Sequence, residues 1–229
     1  MDKEDLNKMY FPITVIDNFY NDFDKIKKMA NEALYLKREF ATMPGEATQA
    51  FHISNQPLFN LACNKVLSLF YGRHYEQGIA SAEYVIMKFE KITPFAPEYS
   101  KEGWIHFDDN NKLTGIYYVQ GDSSEGTSFY KHKEVGVPEF SGLQFRHKLY
   151  SGETISPEEY NSELKKHNEQ FEHILTVPCV PNRLVLFDSS IYHKAEGTGS
   201  HEKPRVIQTM FFKDIFAETF PIPDMKRIG

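Results

Sequence analysis

Apolar residues in the first third of the chain recur with the period of amphipathic helices. In the first such stretch they occupy Phe23, Ile26, Met29, Ala30, Ala33 and Leu34. This spacing predicts a helix that buries one face, with Asn21 or Asp22 as its N-cap. A second helix is predicted over 56–72, because a glycine follows its last apolar position. The segment 11–20 predicts a short strand, and 37–52 predicts a loop.

From Ala82 onward the pattern changes to short runs rich in β-branched and aromatic residues. The seven runs are EYVIMKFEKI, KLTGIYYVQ, GTSFYKH, LTVPCV, NRLVLFD, IYHKAEG and RVIQTMFFKD. Each run predicts a strand. The polar turn GDSSEG between the second and third runs predicts that they form a hairpin or lie side by side. A third helix is predicted over 156–174, with Ser156 as its N-cap and Pro157 at its first position.

The order of these elements lacks the alternation of strand and helix that builds a parallel sheet. Two helices, several strands, an inserted helix and further strands predict an α+β protein. Its core would be an antiparallel, cupin-like jelly roll (a double-stranded β-helix) braced by the N-terminal helices. No linker rich in Pro, Gly or Ser divides the chain. We expect one domain over 1–229, with helical support over 1–81, the core over 82–229 and an insert at about 138–174.

The composition is that of a packed globular protein. Of the 229 residues, 41% are hydrophobic and 14% aromatic, which argues against disorder. The net charge is −6 and no basic run stands out, so nucleic acid is not an expected partner. No membrane span or signal peptide is visible. The separated cysteines Cys63 and Cys179 predict free thiols, so we expect a cytoplasmic protein. No pattern predicts the oligomeric state.

The stretch GWIHFDDNNK, residues 103–112, carries the first candidate chemistry. Side chains alternate between the faces of a strand, so His106 and Asp108 would share a face while Phe107 points to the core. An imidazole and a carboxylate on one face can bind a metal ion. The alternative is a strand end that runs into a solvated polar turn, formed by Asp109, Asn110 and Asn111.

Three later residues favour the metal interpretation. His193 follows an apolar strand and a turn, where it can supply a third ligand. Two histidines and one carboxylate form the facial triad of non-haem Fe(II) oxygenases, which leaves positions open for a cosubstrate and O₂. Arg205 opens the last strand, and a buried arginine is unfavourable unless it meets an anion such as a dicarboxylate cosubstrate. Thr209, four positions further on, shares the face of Arg205.

With these residues the chain resembles the Fe(II)- and 2-oxoglutarate-dependent oxygenases, in particular their prolyl-hydroxylase-like branch. Four stretches within 104–213 carry the resemblance in the family's order: WIHFDD, KLTGIYYVQGDSSEGTSFYKHK, VPCVPNRLVLFDSSIYH and RVIQTMFF. They are similar to the HxD strand, a strand–turn–strand segment, the stretch ending in the distal histidine, and the last core strand. The N-terminal ITVIDNFY followed by a helix resembles the usual entry of such proteins.

The resemblance implies a role for each candidate residue. The implied Fe(II) ligands are His106, Asp108 and His193. Arg205 would bind the distal carboxylate of 2-oxoglutarate, Tyr118 would hydrogen-bond the same carboxylate, and Thr209 would assist. The implied reaction hydroxylates a C–H bond with O₂ and releases succinate and CO₂, and a carboxylate at position 108 favours hydroxylation over halogenation. The substrate would be a peptidyl or free amino acid, or a small metabolite.

The sequence departs from the family's pattern at three points. Phe89 stands where many members have a tyrosine near the cosubstrate, EGTSFY stands where GGxL is usual, and the helical insert is additional. Two other functions stay open, namely a cupin-like metalloenzyme in which Arg205 binds another anion, and a non-catalytic jelly-roll binding module. Four other histidines have polar or helical surroundings and are interpreted as surface residues: His147, His167, His173 and His201. His132 continues a core strand, so it is interpreted as a surface residue with a place at the substrate mouth as the alternative.

Overall fold

The computed structural model describes residues 11–37, 45–78, 80–94, 96–108, 110–134, 148, 155–217, 219 and 221–222. Three predicted features lie outside these residues in whole or in part: the charged N-terminus, the first part of the insert at about 138–174, and the roles given to Asp109 and His147. Within the described part of the chain, no helix is both long and apolar enough to cross a membrane.

Three longer helices form where the sequence predicts helices, and two four-residue helices were not predicted. Their bounds are α1 Phe23–Glu32, α2 Phe51–Ser54, α3 Gln56–Tyr71, α4 Arg73–Glu76 and α5 Pro157–Asn168. Asp22 caps α1 by accepting a hydrogen bond from the backbone N–H three residues on, at 3.0 Å, and Ser156 caps α5 in the same way at 3.1 Å. Both predicted N-caps are confirmed. The prediction of a loop over 37–52 is wrong in part, because 46–47 form a strand and α2 begins at Phe51.

The strands form two antiparallel sheets. Their bounds are β1 Thr14–Ile16, β2 Glu46–Ala47, β3 Ala80–Ile92, β4 Leu113–Gln120, β5 Thr127–His132, β6 Phe171–Val177, β7 Arg183–Asp188, β8 Tyr192–Ala195 and β9 Arg205–Ala217. The large sheet has the order β1-β7-β4-β9-β3-β2, and the small sheet has the order β6-β5-β8. Each strand pair of the described residues is antiparallel, which confirms the α+β class.

The large sheet buries both of its faces. The core between the helices and the sheet includes Phe19, Phe70, Met87, Leu113, Leu184 and Phe212. The inner face meets the small sheet in a second core, formed by Ile92, Ile116, Tyr118, Phe129, Val177, Cys179, Val185, Phe187 and Ile207. Along β9, Val206 and Met210 belong to the helix side, whereas Ile207 belongs to the inner core. By alternation, Arg205 and Thr209 lie on the inner face, as the sequence predicts.

The expected pairing of β4 with β5 is wrong. β4 pairs with β7 and β9 in the large sheet, whereas β5 pairs with β6 and β8 in the small sheet. The polar turn therefore carries the chain from one sheet to the other. Gly126 permits the crossing, because a Cβ atom at this position would lie 2.1 Å from the carbonyl oxygen of Val177.

The third helix is shorter than predicted. It ends at Asn168, and Phe171 begins β6, which pairs with β5. The backbone N–H of Lys133 donates to the carbonyl of Gln170 at 3.0 Å, and so extends this ladder beyond the strands. The prediction of a helix over 169–174 is wrong. From Phe171 on, the backbone N–H and C=O groups bond to the distant strand β5 instead of to each other.

Asn182 connects the N-terminal segment to the large sheet. Its side-chain Oδ1 accepts hydrogen bonds from the Tyr20 N–H and the Tyr117 hydroxyl, and its Nδ2 donates to the Tyr20 carbonyl, each at 2.9 Å. The residue is buried and its backbone has a φ of 64°. Asparagine suits this turn because it tolerates the left-handed region better than most residues.

We expect Asn182→Ala to lower the free energy of unfolding by about 2–4 kcal/mol, because it removes three buried hydrogen bonds and leaves their partners unsatisfied. Chemical denaturation measures this loss. Asn18→Ala is the matched control, because Asn18 is exposed and has a φ of 55°. In the control, the change in the free energy of unfolding reflects only the replacement of asparagine at a positive φ. Equal losses in the two variants would contradict the role given to the hydrogen bonds.

Candidate metal centre

Two of the predicted metal ligands are joined through their backbones. His106 and His193 form an isolated antiparallel bridge, in which the His106 N–H donates at 3.0 Å and the His193 N–H donates at 2.7 Å. Side chains of directly opposed residues lie on the same face. The two imidazoles are therefore neighbours, with ring centroids 4.5 Å apart. The predicted strand around His106 is reduced to this one bridge.

Asp108 completes a group of three candidate ligands. Its Oδ1 lies 3.8 Å from Nε2 of His106, and its Oδ2 lies 3.5 Å from Nε2 of His193. One ligand atom from each residue lies within 4.8 Å of the others. His193 is buried, whereas His106 and Asp108 are half-buried, so the group has a protein-facing side and an open side. This arrangement suits a metal ion that keeps positions open for other ligands.

The hydrogen bonds of both histidines prepare the same ring nitrogen for a metal. Nδ1 of His106 lies 2.8 Å from the carbonyl oxygen of Trp104, and Nδ1 of His193 lies 2.9 Å from that of Ile191. A carbonyl oxygen can only accept, so each Nδ1 carries the hydrogen. The neutral imidazole then has its lone pair on Nε2, the atom nearest Asp108. The donor set therefore fits a divalent metal ion.

A closed ring of hydrogen bonds fixes the carboxylate of Asp108. Its backbone N–H donates to the carbonyl of Ser189 at 2.9 Å. The Ser189 hydroxyl lies 2.8 Å from Oγ1 of Thr114, which in turn donates to Oδ2 of Asp108 at 2.7 Å. Thr114 and Ser189 are fully buried. Sequence reasoning missed both residues, since a threonine in an apolar strand carries no signal of its partner.

A second polar group lies deeper on the inner face. Arg205 and Thr209 are each 2% exposed, and among the described residues neither Nε of Arg205 nor Oγ1 of Thr209 has a hydrogen-bond partner. The guanidinium carbon lies 5.5 Å from the ring centroid of Tyr118, whose hydroxyl donates to Thr127 at 2.7 Å. Burial raises the pKa of Tyr118 and the charge of Arg205 opposes that rise. Buried donors without partners indicate a place for an acceptor.

The strand next to β9 adds two charged residues to this face. Lys88 lies directly opposite Thr209, and Glu90 lies opposite Ile207. Their side chains form an ion pair, with Nζ 3.3 Å from Oε1. Phe89 points to the helix side, where its ring packs on Phe51. The expected position of Phe89 near a cosubstrate is therefore wrong, because alternation along β3 turns its two neighbours inward.

Two further sequence interpretations are wrong. His167 is buried, with Nε2 2.7 Å from the carbonyl oxygen of Ile105 and its ring against Trp104. Its partners are distant in the sequence, so its polar surroundings on α5 gave no sign of burial. Phe107 is half-buried and contacts Tyr192 instead of entering a core. His173 is exposed and His132 is half-buried, and neither belongs to the group of candidate ligands.

The fold is that of the iron- and 2-oxoglutarate-dependent oxygenases. SnoN, a non-haem α-ketoglutarate-dependent epimerase from nogalamycin biosynthesis, matches with a TM-score of 0.55 at 12% identity, over 90% of this chain and 79% of SnoN. HygX from Streptomyces hygroscopicus, solved with nickel and 2-oxoglutarate, matches with a TM-score of 0.51 at 9% identity, over 95% of this chain and 88% of HygX. At such low identity the likeness concerns the fold.

EvdO2 from Micromonospora carbonacea var. aurantiaca, solved with 2-oxoglutarate, has the same fold. It matches with a TM-score of 0.51 at 13% identity, over 97% of this chain and 95% of EvdO2. The chain itself belongs to a family of unknown function, DUF6445, whose model matches residues 2–202. No curated protein matches the sequence. The resemblance predicted from the sequence is thus confirmed for the fold.

We expect Thr114→Val to weaken metal binding about 10- to 100-fold, because the variant keeps the side-chain volume but frees the carboxylate of Asp108 to rotate. Thr114→Ser keeps the hydroxyl and should restore most of the affinity. Ser128→Ala is the control, since Ser128 is also fully buried but its hydroxyl contacts Thr176 on the small sheet. Anaerobic competition with a coloured chelator measures the affinity. Equal affinities of the valine variant and the native protein would contradict the role of Thr114.

Proposed function

We propose that the protein is an Fe(II)- and 2-oxoglutarate-dependent dioxygenase that hydroxylates an unactivated C–H bond. The substrate would be a peptidyl or free amino acid, or a small metabolite. The proposal includes a jelly-roll core built from the two facing sheets and a single catalytic domain over 1–229. Its main support is the pair of buried donors without partners, Arg205 Nε and Thr209 Oγ1, in the interior that also holds the His–Asp–His group.

In this proposal His106, Asp108 and His193 hold Fe(II). Two neutral imidazoles and one carboxylate are the ligands that such an ion takes in oxygenases. The backbone bridge sets the spacing of the imidazoles, and Thr114 sets the rotation of the carboxylate. The ring of Phe187 packs 4.6 Å from that of His193 and supplies an apolar wall that keeps water from one side of the site.

Arg205, Tyr118 and Thr209 would bind the distal carboxylate of 2-oxoglutarate. Arginine offers a planar pair of donors that matches a carboxylate, and Thr209 adds a hydroxyl from the same face of β9. Tyr118 contributes a hydroxyl that burial keeps protonated. The dicarboxylate would supply the acceptors that the two buried donors lack.

The charges of four buried or half-buried residues also support binding of a metal together with a dianion. Asp108 and Arg205 carry opposite charges, and Lys88 and Glu90 form an ion pair. These four residues are therefore neutral as a set. Fe(II) alone would add two positive charges to the interior, which is unfavourable at low dielectric. The two negative charges of 2-oxoglutarate cancel them, so the complete set is neutral again.

Bound at these residues, Fe(II) would supply the activation of O₂, and 2-oxoglutarate would supply two electrons on conversion to succinate and CO₂, with the second oxygen atom of O₂ going to the substrate as a hydroxyl group. The contribution of the chain is to position these groups. His106, Asp108 and His193 would hold the metal, and Arg205 would bind the far end of the cosubstrate.

Free thiols support the proposed cytoplasmic location. Cys63 and Cys179 form no disulfide, and burial raises the pKa of Cys63 to about 12 and that of Cys179 to about 11. Both thiols therefore stay protonated and unreactive at neutral pH. Thiols of this kind are usual in a reducing compartment.

We expect Arg205→Met to weaken binding of 2-oxoglutarate about 10- to 100-fold, because the charged hydrogen bonds to its carboxylate are lost. Titration of the anaerobic Fe(II) protein, followed by the visible charge-transfer band of the chelate, measures the affinity. Arg183→Met is the matched control, since Arg183 lies on the same sheet but already pairs with Asp17 at the surface. Its affinity should stay close to that of the native protein.

The same titration tests the proposed function itself. A native protein that binds Fe(II) but neither binds 2-oxoglutarate nor develops the band would contradict the proposal. That result would favour a metalloenzyme that uses another anion. Failure to bind metal as well would favour a non-catalytic binding module.

We expect His106→Ala to abolish turnover of 2-oxoglutarate, because the remaining two ligands do not retain the metal. Succinate release under air measures this activity. His173→Ala is the control, because His173 is exposed on the small sheet, where it contacts Thr176 and Tyr130. A fully active, iron-dependent His106 variant would contradict the ligand assignment.

A further inference from the structure

A row of four side chains crosses the inner face of the large sheet from strand to strand. Thr114 of β4 lies directly opposite Phe187 of β7 on one side and Phe211 of β9 on the other. Phe211 in turn lies opposite Ile86 of β3. Directly opposed side chains project to the same face, with Cβ atoms about 4.5–5.5 Å apart. The four residues therefore form one transverse row, in the order Phe187, Thr114, Phe211, Ile86.

The candidate metal ligands contact one half of this transverse row. Oγ1 of Thr114 donates to Oδ2 of Asp108 at 2.7 Å. The ring centroid of Phe187 lies 4.6 Å from that of His193. Phe211 is the next side chain along the row beyond Thr114. The inner face of the sheet thus connects Phe211 to the metal ligands through a single intervening residue.

Exposure to solvent increases along the row with distance from these contacts. Phe187 and Thr114 are fully buried, Phe211 is half-buried, and Ile86 is 45% exposed. Phe187 belongs to the inner core, whereas Phe211 and Ile86 belong to neither core of the described residues. Neighbouring apolar side chains that stay open to solvent are stabilised when another apolar group covers them.

The open half of the row has a different chemistry from the residues assigned to the cosubstrate. Thr209 and Arg205 precede Phe211 by two and six positions on the same face of β9. They supply a hydroxyl and a guanidinium. The side chains of Phe211 and Ile86 offer neither a hydrogen-bond donor nor an acceptor. This half of the row can therefore contribute to binding only by covering hydrocarbon.

The size of the open half suits a small molecule. Neighbouring strands lie about 4.8 Å apart, so the distance across the sheet from Thr114 to Ile86 is about 10 Å. An aromatic ring or a short alkyl chain fits over this distance. A stable protein interface needs about 800 Å² from each partner, which two partly exposed side chains do not provide.

We propose that Phe211 and Ile86 bind the primary substrate of the metal site, and that the group they hold is an apolar ring or short alkyl chain. The substrate then enters from the Ile86 end, and its hydrocarbon part lies against Phe211 beside Asp108. Substrates with a polar or charged group at this point are disfavoured, because the row would remove water from that group without replacing its hydrogen bonds. This inference rests on the proposed function, since it treats the metal site as catalytic.

The test uses benzotrifluoride as an apolar probe and fluorine NMR as the readout. The protein is loaded with Co(II) and 2-oxoglutarate without O₂, and the Zn(II)-loaded protein is the diamagnetic reference. We expect the bound probe to relax much faster in the Co(II) protein, because relaxation by a paramagnetic ion falls steeply with distance. Trifluoroacetamide carries the same label on a polar body and should bind at least about tenfold more weakly, because it buries little hydrocarbon.

Variants show whether the row holds the probe. Phe211→Ser and Ile86→Ser should each weaken binding of benzotrifluoride about 5- to 20-fold, because apolar contact area is lost. Phe211→Leu keeps an apolar side chain and should retain most of the affinity. Ile174→Ser is the matched control, because Ile174 is an exposed isoleucine (52%) on a strand of the small sheet. It should leave the affinity unchanged.

The outcomes separate this inference from the proposed function. The visible band of the Fe(II) and 2-oxoglutarate chelate is measured in the native protein and in each variant. If the band forms but no probe binds near the metal, or the two serine variants bind it as tightly as the native protein, the inference is wrong and the proposed function stands. If metal binds without the band, the proposed function is wrong, and the probe titration without 2-oxoglutarate decides the inference. A protein that binds no metal contradicts both.

Discussion

The site depends on one pair of backbone hydrogen bonds, which His106 and His193 exchange with each other. These residues are far apart in the sequence, and only an antiparallel bridge sets their imidazoles side by side. The same bridge attaches the segment that carries Asp108 to the small sheet. The relative position of the two candidate histidine ligands therefore follows from main-chain pairing.

The two faces of strand β9 differ: one packs in the helix-side core, and the other carries residues of the candidate site. Val206, Met210 and Phe212 pack toward the helices, whereas Arg205 and Thr209 face the interior. A period of two along one strand thus assigns neighbouring residues to different tasks. The helix-side core fixes the position of the strand, so the inner face can hold polar groups that contribute little to folding.

The features that depend only on neighbouring residues in the chain were predicted correctly from the sequence. The i, i+2 spacing of His106 and Asp108, the alternation along β9 and the helix caps were all predicted from neighbours in the chain. The predictions were wrong where burial or strand pairing depends on a partner that is distant in the sequence. The burial of His167 depends on a carbonyl group far away in the sequence, and β5 pairs with β6 and β8 instead of β4. Alternation along β3 also could not tell whether Phe89 or its charged neighbours faced inward.

The buried donors of the inner face lower the stability of the folded protein. Arg205 Nε and Thr209 Oγ1 are buried without a partner among the described residues, and an apolar pair of similar volume would be more favourable. The fold tolerates them because both sheets pack densely around the inner core. A ligand that supplies acceptors at this point recovers the lost hydrogen bonds, so binding and stability are coupled at Arg205.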